Sequence, residues 1–173
     1  MSILITGVPG WLGTRLTEAL SSGIEFHGKY FPPRKVRCLV LRNIDPLSLK
    51  QLDISLFYGD VNEASTLVEP FKSVESVFHL CGLIHPKGKV NDFFEINTMG
   101  TKNVLNAAIK AGEKRFIYMS SNSVAGIRFN KEVMTEEDIP APYMAYGKSK
   151  YLAEKMVLEA ASNGLIEAVI IRT

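Results

Sequence analysis

Short, unbroken apolar runs alternate with segments of helical period along the whole chain. The runs lie at residues 3–6, 36–41, 55–58, 76–81, 115–120 and 168–172. Their mostly continuous apolar character predicts strands buried on both faces of a parallel sheet. Between them Leu12, Leu16, Ala19 and Leu20 recur at helical spacing, as do Val104, Leu105, Ala108 and Ile109, and then Leu152, Met156, Val157 and Ala160. Gly23, Gly112 and Gly164 stand where helix C-termini call for a left-handed residue. This alternation predicts one α/β domain over 1–173, a Rossmann doubly wound parallel sheet of about six strands with helices on both faces. Residues 125–144, with Pro140 and Pro142, read as an irregular loop bordering the site.

Composition narrows the function classes. With 173 residues, 46% of them hydrophobic and 22% charged, the chain suits a single sizeable core. The net charge is +2. Its basic clusters (Lys87 with Lys89, and Arg34, Lys35 and Arg37) are too short for a phosphate footprint, so no nucleic-acid partner is expected. Cys38 and Cys81 sit inside apolar runs and read as reduced, buried residues; neither a disulfide nor a metal site is expected. No run approaches membrane-spanning length and no charged leader precedes the first strand, so no membrane association and a cytoplasmic location are expected.

The chemistry begins where the first strand meets Thr6-Gly7-Val8-Pro9-Gly10-Trp11-Leu12-Gly13 and a helix. Three glycines there permit a tight turn, a close approach of backbone to a pyrophosphate, and close packing of helix on sheet. Pro9 stiffens the turn, and the helix N-terminus offers free N–H groups to phosphates. Gly7, Pro9, Gly10, Trp11, Leu12 and Gly13 are therefore expected to hold a dinucleotide. The spacing matches T-G-x-x-G-x-x-G and resembles the extended branch of the short-chain dehydrogenase/reductase superfamily. That branch contains NAD-dependent epimerases and dehydratases, dihydroflavonol reductases and hydroxysteroid dehydrogenases.

The second strand ends in Arg42 with no acid at its tip, which favours NADP, with NAD possible if Asp45 swings back. Asp60 resembles the family residue that binds the adenine amino group, with Val61 packed on the ring; a turn or helix cap is the plainer reading of Asp60. Residues 77–82, Val-Phe-His-Leu-Cys-Gly, are similar to the family's V-x-H-x-A-A motif. Leu80, Cys81 and Gly82 are expected along the cofactor, with Ser120 at the neighbouring strand tip, and His79 reads as structural.

Tyr146 and Lys150, four apart on a helix, project from one face. A free phenol, with a pKa of about 10, is a poor base near neutrality, and a nearby ammonium favours the phenolate. The pair is expected to move a proton while hydride passes between cofactor and substrate, with Lys150 also on the nicotinamide ribose. Ser120-Ser121-Asn122-Ser123-Val124-Ala125-Gly126 resembles the family's S-S-x-x-V-Y-G segment. The resemblance gives Ser121 the role of polarising the substrate oxygen, with Ser123 as substitute; Ala125 replaces the usual aromatic residue. Asn97-Thr98-Met99-Gly100-Thr101 resembles the family helix in which Asn97 plays a supporting catalytic role.

These features imply an NAD(P)-dependent oxidoreductase acting on a small carbonyl or alcohol substrate. A nucleotide-sugar epimerase and a non-catalytic NAD(P)-binding module are the alternatives. Dehydration is disfavoured, because Asn122 and Ser123 replace the acidic pair used by the family's dehydratases. The chain is expected to be a fragment lacking the family's C-terminal substrate-binding region, and a homodimer is plausible.

Overall fold

The computed structural model describes residues 2–84, 89–127 and 133–173 of the chain. Its strands are β1 (Ser2–Thr6), β2 (Ile24–Phe26), β3 (Lys29–Phe31), β4 (Lys35–Val40), β5 (Ile54–Tyr58), β6 (Val74–His79), β7 (Arg115–Met119) and β8 (Glu167–Ile171). Six of them form one sheet in the order β5-β4-β1-β6-β7-β8, with every pairing parallel. The order reverses at β1, so a crevice opens between the carboxyl ends of β1 and β6, where open α/β sheets bind ligands.

Helix α1 (Trp11–Ser22) follows β1 directly. Helix α2 (Asn91–Phe93) continues through a π-helical stretch, Phe94–Gly100, into α3 (Thr101–Ala111), and α4 (Ala145–Ser162) precedes β8. The doubly wound sheet is thus as the apolar runs predict. Strand β1 is buried along its whole length, and successive side chains serve opposite faces. Leu4 joins Val77, Phe116 and Tyr118 against Val104 and Ala108 of α3 and Ala153 and Val157 of α4. Ile3 and Ile5 join Val36, Cys38 and Val40 against Leu16 and Leu20 of α1. At the end of α3, Gly112 takes φ 72° and its N–H reaches the carbonyls of Ala108 and Ile109.

Two features go beyond the sequence reading. Strands β2 and β3 form a separate antiparallel hairpin, with His27 and Gly28 at its turn and every strand residue exposed. Its strands are three residues long, too short for a period-2 pattern to register. The second is the π-helical stretch, which holds Asn97. Residues 125–144 contain no long helix or strand among those described; Arg128–Glu132 lie outside the described residues, as does Lys87. No helix among the described residues is long and apolar enough to cross a membrane.

Glu113 lies at the opposite, amino-terminal edge of the sheet and is 4% exposed. Burial pushes its carboxyl up to about 7, against smaller opposing effects of the Val74 backbone amide and Arg37. Because the folded value exceeds the unfolded one, the protonated acid stabilises the fold below about pH 4.5, and that contribution is lost as pH rises through about 7. Glu113→Gln removes the loss. Urea melts should find the variant and wild type similar near pH 4.5, and the variant more stable by on the order of 1–2 kcal/mol at pH 8. Equal stabilities at pH 8 would contradict the assignment.

Candidate active site

The glycine turn is built by steric demand. Gly7 has φ 85°, and a Cβ on it would stand 2.6 Å from the backbone of Leu80 and Cys81. Cβ atoms on Gly10 and Gly13 would stand 2.7 and 2.6 Å from the Gly7 carbonyl. The loop therefore folds onto itself and onto the end of β6 with no room for side chains. Gly10 N–H donates to the Gly7 carbonyl at 3.1 Å, which closes the turn before α1 begins. Trp11, at the start of α1, is 81% exposed, and Leu12 also borders solvent. A cavity of about 160 Å³ opens beside the turn, lined by Gly7, Val8, Leu39, Asp60, Val61 and Cys81. Of the residues expected to hold a dinucleotide, Gly7, Asp60, Val61 and Cys81 border this hollow at the reversal of strand order.

Asp60 fulfils its plainer reading, since its Oδ1 accepts the Asn62 N–H at 2.9 Å. Val61 is buried, and its carbonyl accepts from Asn103 at 2.9 Å. At the ribose end, Arg42 is exposed and borders an open hollow with Asp45, Lys50 and Tyr58. Asp45 is held by Lys50 at 2.8 Å.

His79 is fully buried and joins three elements. The Thr101 hydroxyl donates to the Asn97 carbonyl at 2.7 Å, so it accepts from His79 Nε2–H at 2.9 Å. His79 Nδ1 then accepts from the Thr6 hydroxyl at 2.7 Å. Burial, with Lys150 as a second cause, pushes this imidazole down to about 3, so it is neutral. His79 is structural, as the sequence suggests: it ties the ends of β1 and β6 to α3. Burial likewise pushes the Cys81 thiol up to about 11, against the opposing charge of Lys150, so the sulfur beside the cavity is protonated.

Ser121 ends β7's extension and caps a short 3-10 turn, Asn122–Val124, with its Oγ accepting the Ser123 N–H at 3.2 Å. Its hydroxyl lies 3.2 Å from Ser123 Oγ, which places the two candidate serines together. The neighbouring Ser120 is 3% exposed, and its buried hydroxyl has no protein partner. Tyr146 and Lys150 sit in the first turns of α4. The Tyr146 ring is half-buried against Phe93, with centroids 6.0 Å apart. Lys150 is 3% exposed, with Nζ over the Tyr118 ring at 4.4 Å. Burial lowers its ammonium to about 8, against smaller opposing effects of Cys81 and Glu154.

Asn97 is fully buried. Its Oδ1 accepts from Leu83 N–H at 2.7 Å, and its Nδ2 donates to the Leu83 carbonyl at 2.9 Å and to Ser149 Oγ at 3.0 Å. Ser149 in turn donates to the Tyr146 carbonyl at 2.7 Å. Asn97 thus fastens the segment following Cys81 to the helix that carries Tyr146. A Cβ on Gly82 would lie 3.3 Å from Asn97 Oδ1 and 3.6 Å from Lys150 Nζ, so these three groups adjoin.

Three contributors escaped the sequence reading. Ser149 is one. Gly147 is another: a Cβ there would stand 2.5 Å from the Ser123 carbonyl, so this glycine lets α4 seat against the serine segment. A glycine inside a helical pattern was the available signal. The third is the pair Glu154 and Arg172, which had no local signal because its partners come from different elements.

The parallel sheet and its order define an α/β protein of the Rossmann class. Residues 3–173 match the NAD dependent epimerase/dehydratase family, and the chain belongs to that family. It is 37% identical to y4nL of Sinorhizobium fredii, over 98% of this chain and 49% of that protein. It is 32% identical to UDP-glucose 4-epimerase of Vibrio cholerae, over 99% of this chain and 50% of that one. Among solved structures, a short-chain dehydrogenase/reductase superfamily protein of Agrobacterium tumefaciens with bound NAD superposes with a TM-score of 0.83. It is 29% identical, and the match covers 99% of this chain and 48% of that one. The chain spans about half the length of the curated relatives it matches.

Proposed function

We propose that this chain is the cofactor-binding half of an NAD(P)-dependent oxidoreductase that interconverts a small carbonyl compound and its alcohol. One observation carries the reading. The glycine turn, the unpartnered Ser120 hydroxyl and the Tyr146/Lys150 face of α4 all lie at the carboxyl edge of one sheet. The turn fits a diphosphate because it presents backbone where any side chain would clash. Gly7, Pro9, Gly10, Trp11, Leu12 and Gly13 hold the diphosphate; Asp60 and Val61 border the adenine; Leu80, Cys81, Gly82, Ser120 and Lys150 line the nicotinamide side. A bound dinucleotide supplies the hydride donor or acceptor.

The remaining chemistry belongs to side chains. Tyr146 gives or takes the proton at the substrate oxygen, and Ser121 donates a hydrogen bond to that oxygen. Lys150, still mostly protonated at neutral pH, supplies positive charge behind the phenol and donates to ribose hydroxyls. Asn97 orients this helix through Ser149.

For the cofactor, the family description names NAD. Arg42 supports NADP, since the acid that borders the same hollow, Asp45, is engaged by Lys50. Titration calorimetry with NADPH and NADH tests both levels of the reading. NADPH is expected to bind tighter by about tenfold, one charge-assisted contact's worth. Tighter NADH would overturn the NADP choice, and no binding of either would overturn the function. Nucleotide-sugar epimerisation is the second reading, favoured by the similarity to the Vibrio cholerae epimerase; conversion of a UDP-hexose without net change in cofactor absorbance would select it. A homodimer and a cytoplasmic setting belong to the same proposal.

A further inference from the structure

Lys150 is the only buried lysine or arginine among the described residues. No carboxylate among them pairs with its Nζ; what it meets is the face of Tyr118. Yet a carboxylate is close in sequence. Glu154 stands four residues on, on the same helix, and is 1% exposed. A buried acid and a buried ammonium at that spacing are natural partners, each otherwise bearing its own desolvation cost. They do not pair, because Arg172, just past the end of β8, takes both oxygens of Glu154. Its Nε donates to Oε1 at 3.0 Å and its Nη2 to Oε2 at 2.8 Å. The planar fork of Arg matches a carboxylate in a way that a lysine does not.

We propose that Arg172 is a positioning residue that occupies Glu154 and so keeps its carboxylate off Lys150, leaving the Lys150 ammonium free to donate to the hydroxyls of a bound dinucleotide. This deepens the functional reading above and rests on it for the identity of the ligand. The titratable groups around Lys150 are His79 and Cys81 at the end of β6, Tyr118 on β7, and Tyr146 and Glu154 on its own helix. Of these, Glu154 is the one carboxylic acid. Release of Glu154 therefore gives Lys150 a carboxylate to pair with directly, which diverts its donors and raises its proton affinity.

The test combines two readouts. The pH titration of the Lys150 side chain is followed by NMR in lysine-labelled, cofactor-free protein, with Lys150→Arg identifying the signal. Calorimetry gives the affinity for NADPH and NADH. Arg172→Met is expected to raise the Lys150 titration by about one pH unit and to weaken the tighter-binding dinucleotide about tenfold. Glu154→Gln/Arg172→Met should restore both, to within about threefold in affinity, because the freed acid is gone. An unchanged titration in Arg172→Met overturns the proposal. So does a double variant that binds as weakly as the single one, which would make the pair a mere tie between helix and strand. Should Arg172→Met not fold, Glu154→Gln decides: affinity within about threefold of wild type supports the proposal, and a tenfold loss overturns it. If wild type binds neither dinucleotide, the functional reading fails on that result, while the Lys150 titration still judges Arg172.

Discussion

Tyr146→Phe lowers kcat for carbonyl reduction by about three orders of magnitude while leaving dinucleotide affinity within about twofold, the expected signature of a lost proton donor. The substitution deletes one oxygen. The ring, which rests on Phe93, is retained, and the helix keeps its anchor through Ser149 because that bond uses the Tyr146 backbone carbonyl. Stability should therefore change little, by less than about 1 kcal/mol, so a loss of rate cannot be ascribed to unfolding. Steady-state kinetics over a panel of carbonyl substrates, alongside calorimetry and thermal melts, separates these quantities. Equal rates in both proteins would remove the proton-transfer role and leave a binding module, one of the alternatives that the motifs alone kept open.

Gly7→Ala is expected to be strongly disruptive. Two costs coincide. The residue holds φ 85°, where an L side chain costs about 1–2 kcal/mol. The added carbon would also stand 2.6 Å from backbone atoms of Leu80 and Cys81, which cannot rotate away as a flexible side chain does. Relief requires β1 and β6 to part at the ligand crevice, and those neighbours share a ladder from Ser2 to His79. A loss of about 4 kcal/mol is expected, a large part of a typical domain's stability. Dinucleotide binding should vanish with it, since the same movement opens the turn. Urea denaturation and calorimetry check both; a variant melting with wild type and still binding would show that the turn has slack the geometry denies.

The contrast between these two positions shows how the site could be read. Tyr146 and Lys150 are legible because both lie on one helix, where spacing of four fixes a shared face. The glycine turn is legible because strand, turn and helix are contiguous. Ser121 is legible from its place at a strand end. The seating of Gly147 against Ser123 is not, because it depends on how closely α4 approaches the segment after β7. Nor does the sequence reveal that Asp45 is held by Lys50, or that His79 binds Thr6 on one side and Thr101 on the other.

By itself, the amino-acid order determines the alternation of buried strands and amphipathic helices, the glycine turn and the Tyr/Lys pair, since each is a local matter of periodicity or steric allowance. Only the tertiary structure decides which way Glu154 turns, that Asn97 clasps Leu83 and Ser149, that Lys150 is stripped of water, and that Glu113 is buried at the far edge. Those outcomes depend on groups brought together from distant segments, and desolvation and hydrogen-bond partnership exist only once the chain has closed around them.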